Sequence, residues 1–147
     1  MLDFGISPDR HGQICPEDAK RMKEFGDYVR AFNATDFAEG AKVSETRNGN
    51  ELTVMLELAG VKHFNCIDVR ERIELGQRVS EFLVEVRKDG KWSQVAKGTT
   101  VGYRRLARFE TVTTDAIRLT VKGRAKPLLK PVALRFAPKV ADNNNNK

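Results

Sequence analysis

The hydrophobic period of this chain changes once, near Gly40, and that change limits what it can fold into. Before it, Met22, Phe25, Val29 and Phe32 recur at spacings of three or four, which places them on one face of a helix. Lys20, Arg21, Lys23, Glu24, Asp27 and Arg30 largely fill the rest of the turn. After it, apolar and polar residues alternate. Leu52, Val54, Leu56 and Leu58 are interleaved with Thr53, Met55 and Glu57; Phe82, Val84 and Val86 with Leu83 and Glu85; Ile117, Leu119 and Val121 with Arg118 and Thr120. A period of two is that of a half-buried strand. Ile67 with Val69, Leu106 within the run from Tyr103 to Phe109, and Val132 with Leu134 and Phe136 complete the set.

Turn chemistry supports the same reading. Asn48-Gly49-Asn50 and Lys88-Asp89-Gly90 lie between strands, and Asp-Gly favours a tight hairpin. Pro16 suits the first position of a helix, and Glu17 and Asp18 put negative charge at the positive end of its dipole. The expected fold is mainly β: an antiparallel β-sandwich of jelly-roll type preceded by one amphipathic α-helix. Residues 1–40 read as loop and helix, 41–138 as the sandwich, and 139–147, with its run Asn143 to Asn146, as a disordered tail.

A chain of 147 residues can hold one domain with its own core but not a barrel or doubly wound enzyme plus a second domain. A helix followed by a sandwich is an unusual free-standing design, so the helical stripe reads either as a cover for the sandwich or as a docking face for a domain upstream. The net charge of +6 comes from 26 basic residues scattered among 20 acidic ones, so no nucleic-acid partner is expected. No apolar run approaches the roughly 18 residues of a membrane span, so no membrane partner is expected either. Cys15 and Cys66 match no CxxC pattern and read as buried free thiols.

The chemistry-bearing residues are sparse. His11 and His63 fall in no metal-binding spacing, and no nucleophile or phosphate-binding motif is present, so no catalytic, metal or cofactor site is predicted. Asp68, Glu71 and Glu74 could be paired on paper as glycosidase carboxylates, but surface solubility accounts for them better. Arg104 and Arg105 point to opposite faces of a strand, and one is expected to form an internal ion pair with Asp68, Glu71 or Glu85.

A more specific signal comes from two blocks of sequence. Ile6-Ser7-Pro8-Asp9-Arg10-His11-Gly12-Gln13-Ile14, then Glu17-Asp18 and Arg21 to Tyr28, resembles the end of the catalytic barrel in the alpha-L-fucosidase family of retaining glycoside hydrolases. Asp68-Val69-Arg70-Glu71, Ile73 to Val79, Gly90-Lys91-Trp92, Gly98 to Arg105 and Arg108-Phe109 are similar to the C-terminal sandwich of those enzymes, a module of galactose-binding-like or discoidin-like fold. The resemblance runs from about Ile6 to Phe136 in the same order.

It implies a non-catalytic accessory domain that packs on and stabilises an upstream catalytic barrel. The family's nucleophile and acid/base carboxylate lie in that barrel, so this chain alone should be inactive. On this reading Met22, Phe25, Val29 and Phe32 dock on the barrel, and an extracytoplasmic location follows by resemblance. The alternative is a carbohydrate-binding module with a weak site for a fucosylated or galactose-type glycan, drawing on Trp92, Tyr103, Arg104 and Arg105. The Thr-x-Trp element usual after the first strand of such sandwiches is absent from Ser44 to Glu51, which weighs against a formed sugar or calcium end.

Overall fold

The computed structural model describes residues 5–138. It contains α1 (Pro16–Ala34) and six strands: β1 (Lys42–Asn48), β2 (Glu51–Val69), β3 (Val79–Lys88), β4 (Lys91–Gly98), β5 (Arg105–Gly123) and β6 (Ala133–Arg135). The expected tail lies outside the described residues. The chain divides into two compact units, the first ending at Ala34 and the second starting at Thr35.

α1 begins at Pro16 with Glu17 and Asp18 in its first turn, as its sequence directs. Its surface is laced with pairs three and four residues apart, Arg21 with Glu24, Lys23 with Asp27 and Arg30 with Asp27. Exposed pairs of this kind contribute only a few tenths of a kcal/mol each. Of the apolar stripe, Met22, Phe25 and Val29 remain 44%, 42% and 37% exposed, whereas Phe32 is buried.

In the second unit all pairings are antiparallel, in the order β1-β2-β5-β3-β4, with β6 added beside β2. β2 and β5 are each 19 residues long and carry shifts of register after Glu57 and after Phe64. Such irregularities bend a strand and raise its twist. Each long strand therefore serves two sets of neighbours. The first half of β2 pairs with β1 and the second half of β5 with β3, while Cys66 to Asp68 of β2 lie between β6 and the first residues of β5. The sheet stays open and forms no closed barrel.

The alternation read from the sequence is the alternation observed. Leu52, Val54, Leu56 and Leu58, Phe82, Val84 and Val86, and Ile117, Leu119 and Val121 all enter one core, joined by Phe64, Ile67, Val69 and Leu134. Burying a side chain of this size stabilises by about 1.5–3 kcal/mol. The Lys88–Lys91 hairpin turns through Asp89 and Gly90, both at positive φ (51° and 74°), as an Asp-Gly pair requires. Gly98 has a steric role, since a Cβ there would stand 2.6 Å from the Phe82 ring.

Three expectations differ. Leu106 is 41% exposed and Ala107 takes the inward position, because the register sets Ala107 opposite Ile67 and Leu106 opposite Asp68. Phe136 falls just beyond β6 and is exposed. Cys66 is buried as expected, but Cys15 is exposed, its Sγ donating to the Glu17 carboxylate at 2.6 Å.

The core cluster draws its members from Phe37 onward. Removal of residues 1–34 is therefore expected to leave a cooperative thermal transition. Removal of 1–38 also strips Asp36, whose Oδ1 accepts the Leu134 N–H at 2.9 Å, and Phe37, whose N–H meets the Leu134 carbonyl at 3.0 Å. At about 1 kcal/mol for each lost hydrogen bond, the longer deletion should melt roughly 5–15 °C lower than the shorter. Loss of cooperative melting in the shorter deletion would show instead that the helix belongs to the core.

Candidate functional site

Of the three carboxylates singled out from the sequence, two are not on the surface of the sandwich. Glu71 lies two residues past the end of β2 and is 1% exposed. Its Oε1 accepts the backbone N–H groups of Arg78 (2.7 Å) and Val79 (2.9 Å), and its Oε2 accepts that of Gly102 (2.7 Å). Its own N–H donates to the Gly102 carbonyl at 3.0 Å. One side chain thus ties the end of β2 to the start of β3 and to the turn before β5.

Asp68 is equally buried, at 1% exposure, and faces two guanidinium groups. Arg104 donates to both of its oxygens, Nη2 to Oδ2 at 2.7 Å and Nε to Oδ1 at 3.0 Å, and Arg70 donates to the same pair at 3.0 and 3.3 Å. This is the ion pair expected of one of the two adjacent arginines. Burial pushes the Asp68 carboxyl up, but the hydrogen bonds from Arg104 and Arg70 outweigh it and hold the group below its ordinary value. Cys66, two residues earlier on the same face, is pushed up to about 11, by burial first and then by the Asp68 charge, so it stays a thiol. Glu74, by contrast, is exposed and lies 3.6 Å from Lys130. Both carboxylates are 1% exposed and hydrogen-bonded at each oxygen, so neither is presented to solvent where a substrate could meet it.

The four residues named as sugar contacts have separate surroundings. Trp92 sits on β4 opposite Arg87, and the Arg118 guanidinium lies 4.5 Å from its ring centroid, held there by Glu85 at 2.8 Å. One face of the indole is thereby covered by a cation. Tyr103 lies in the turn before β5 and is 71% exposed. Arg104 is engaged with Asp68, and Arg105 reaches over the Phe82 ring at 5.7 Å. Trp92 is therefore placed by the Arg118 end of β5 and the other three by its first residues.

Of the histidines, His11 is exposed in the first unit, and His63 meets the Thr113 hydroxyl at 2.8 Å through Nδ1. Among the described residues, no group of three or more His, Cys, Asp and Glu is placed to hold a metal ion. Sequence reasoning missed the clasp made by Glu71. Its signal was available: a glutamate two residues after an apolar strand, followed by a Gly76-Gln77-Arg78 segment whose backbone N–H groups can turn back toward it.

What these observations define is an open antiparallel sandwich module whose buried carboxylates are spent on holding strands together. No family model matches the chain. It is 28% identical to Alpha-L-fucosidase 1 of Arabidopsis thaliana over 97% of its own length and 34% of that enzyme's. The crystal structure of SpGH29 superposes with a TM-score of 0.85 and 30% identity, covering 91% of this chain and 35% of that one. A fold likeness alone, at TM-score 0.52 and 18% identity, relates 69% of the chain to 81% of CpGH89CBM32-5 of Clostridium perfringens, solved with GalNAc-beta-1,3-galactose. The resemblance to the alpha-L-fucosidases of glycoside hydrolase family 29 therefore holds, and its extent fits a C-terminal region of that family. The chain spans about a third of the length of the relatives it matches.

Proposed function

We propose that the chain is a non-catalytic accessory domain of a longer alpha-L-fucosidase-like glycoside hydrolase, packing on the catalytic barrel and stabilising it. The observation that carries this reading is the asymmetry of the likeness, which takes in 97% of the chain but 34% of the Arabidopsis enzyme. Two features support it. Asp68 and Glu71 are committed to arginines and backbone N–H groups, and Met22, Phe25 and Val29 offer an exposed apolar strip on which a barrel could settle.

The purified chain should release no nitrophenol from a nitrophenyl alpha-L-fucoside above background. Co-expressed with the barrel encoded by the longer reading frame, it should copurify with that barrel and raise its melting temperature. Turnover by the chain alone that disappears on substitution of one of its own carboxylates would end the accessory reading.

A weak carbohydrate-binding role is the second reading, favoured by the exposed Tyr103 and the half-buried Trp92. Because Arg118 covers one indole face, titration with fucose, galactose and a fucosylated oligosaccharide should give no saturable NMR shift below millimolar concentration, or about 4 kcal/mol of binding. Saturable indole shifts lost in Trp92→Ala, with the fold intact, would put this reading first.

A further inference from the structure

We infer that the free edge of β1 is a self-association site, at which a second copy of the chain adds its own β1 antiparallel across a two-fold axis. β1 ends the sheet and pairs on one side only, with β2. All seven of its residues are exposed. The turn that follows it, Gly49-Asn50, has two residues, so Asn48 and Glu51 form the closing hydrogen-bonded pair. Hydrogen-bonded and non-hydrogen-bonded pairs then alternate along the ladder, which directs the N–H and C=O groups of Val43, Glu45 and Arg47 away from β2. Among the described residues, no other backbone group meets them.

An open edge is a template for further pairing, and charges turned toward the core side are one way of blunting it. β1 carries two such charges. The register sets Val43, Glu45 and Arg47 opposite Leu56, Val54 and Leu52, so they share the core-facing side of the sheet. The second layer does not cover them there: Val43 is 57% exposed, and the side chains of Glu45 and Arg47 keep 51% and 41% of their surface. These charges oppose an arbitrary strand but complement the same strand reversed. A two-fold axis perpendicular to the sheet sets core-facing residues against core-facing residues. With Thr46 on that axis, Glu45 meets the partner's Arg47, and Arg47 meets the partner's Glu45. Ser44 meets the partner's Asn48, and Val43 meets the partner's Gly49, where there is no side chain to clash. Moving the axis to Glu45 or to Arg47 stacks like charges instead, so the charge pattern selects one register.

The other features of the two edges agree. The Glu45–Arg47 bridge within one chain is exposed and long, at 3.4 Å, so exchanging it for the bridges of a dimer costs little. β4, the opposite edge, carries Lys91 and Lys97 and no acidic residue, so it repels a copy of itself. A contact of two seven-residue strands is small beside the roughly 1,200–2,000 Å² of a stable interface, and the dimer should therefore be weak and concentration-dependent. Because the argument uses only β1 and its register, it stands or falls separately from the accessory-domain reading.

The test is sedimentation equilibrium of the full chain over a range of concentrations, with a charge exchange across the axis. The parent should show a monomer–dimer equilibrium. Glu45→Arg and Arg47→Glu each place like charges opposite one another at two symmetric positions and should weaken it at least about tenfold. The double variant Glu45→Arg, Arg47→Glu restores opposite charges and should return to within about threefold of the parent. Thr46 would face its own copy at a non-hydrogen-bonded position, where Cα atoms lie about 4.5 Å apart, within the roughly 4.4–6.8 Å of a disulfide. In a Cys15→Ser background, Thr46→Cys should therefore crosslink on mild oxidation and Ser44→Cys should not. Since Arg47 Nη1 also holds the Pro127 carbonyl, Glu45→Arg and the crosslinks decide the matter if Arg47→Glu melts early. A monomer at every concentration would overturn the proposal. So would a dimer indifferent to Glu45→Arg, or one that crosslinks as readily through Ser44→Cys as through Thr46→Cys.

Discussion

Glu71→Ala is expected to cost about 3–5 kcal/mol of folding stability, the largest effect of any single polar substitution in this chain. Its three backbone N–H partners would lose their acceptor inside the protein, and each buried donor left without one costs about 1–3 kcal/mol, partly relieved by water entering the space. Glu71→Gln should cost less. Its remaining oxygen can still serve Arg78 and Val79, but its amide would face the Gly102 N–H donor to donor. Urea denaturation with an unchanged slope would measure both losses. A cost under about 1 kcal/mol for the alanine variant would mean that these N–H groups find other acceptors once the carboxylate is gone.

The second large effect concerns Asp68. Removing one partner of a buried pair leaves the other charges uncompensated, at a typical cost of about 3–5 kcal/mol. Arg104 and Arg70 keep 30% and 40% of their side-chain surface exposed, so Asp68→Ala should fall near the lower end, at about 2–4 kcal/mol. The pH dependence has a definite sign. The folded protein holds the Asp68 carboxyl below its ordinary value, so its stabilisation is fully present above the unfolded value of about 4 and is lost as pH falls through the folded one. Acid unfolding of the parent followed by circular dichroism should be steeper below pH 4 than that of Asp68→Asn. Parallel acid curves for the two proteins would remove Asp68 from the acid response.

Much of the sandwich was legible because alternation is a strong local signal. Leu52 to Leu58, Phe82 to Val86 and Ile117 to Val121 each carry several inward residues in a row, and a slip of one position would expose them all. Legibility failed where tertiary register decides. Leu106 and Ala107 are both apolar, and only the pairing of Ala107 with Ile67 determines which one turns inward. Asp68 and Glu71 read as surface carboxylates because charge usually means exposure. Their burial depends on Arg104 and Gly102, more than thirty residues away in sequence. For the site, the sequence could name Arg104 as one member of an ion pair, but it could not show that Arg118 covers Trp92, because that contact joins β5 to β4 across β3.

Because β2 and β5 run unbroken through both halves of the sheet, neither half can open while the other persists. Their paired residues lie between 36 and 71 positions apart, from Val69 with Arg105 to Glu51 with Lys122, and the β3–β4 hairpin fills the interval. Chain closure on that scale carries an entropic cost that must be met before the central pairing returns any energy. The β1–β2 and β3–β4 hairpins are local and can form early, but the central β2–β5 pairing must wait for two distant segments to meet in register. A module wired in this way folds in milliseconds to seconds rather than microseconds and, once folded, is released only as a whole.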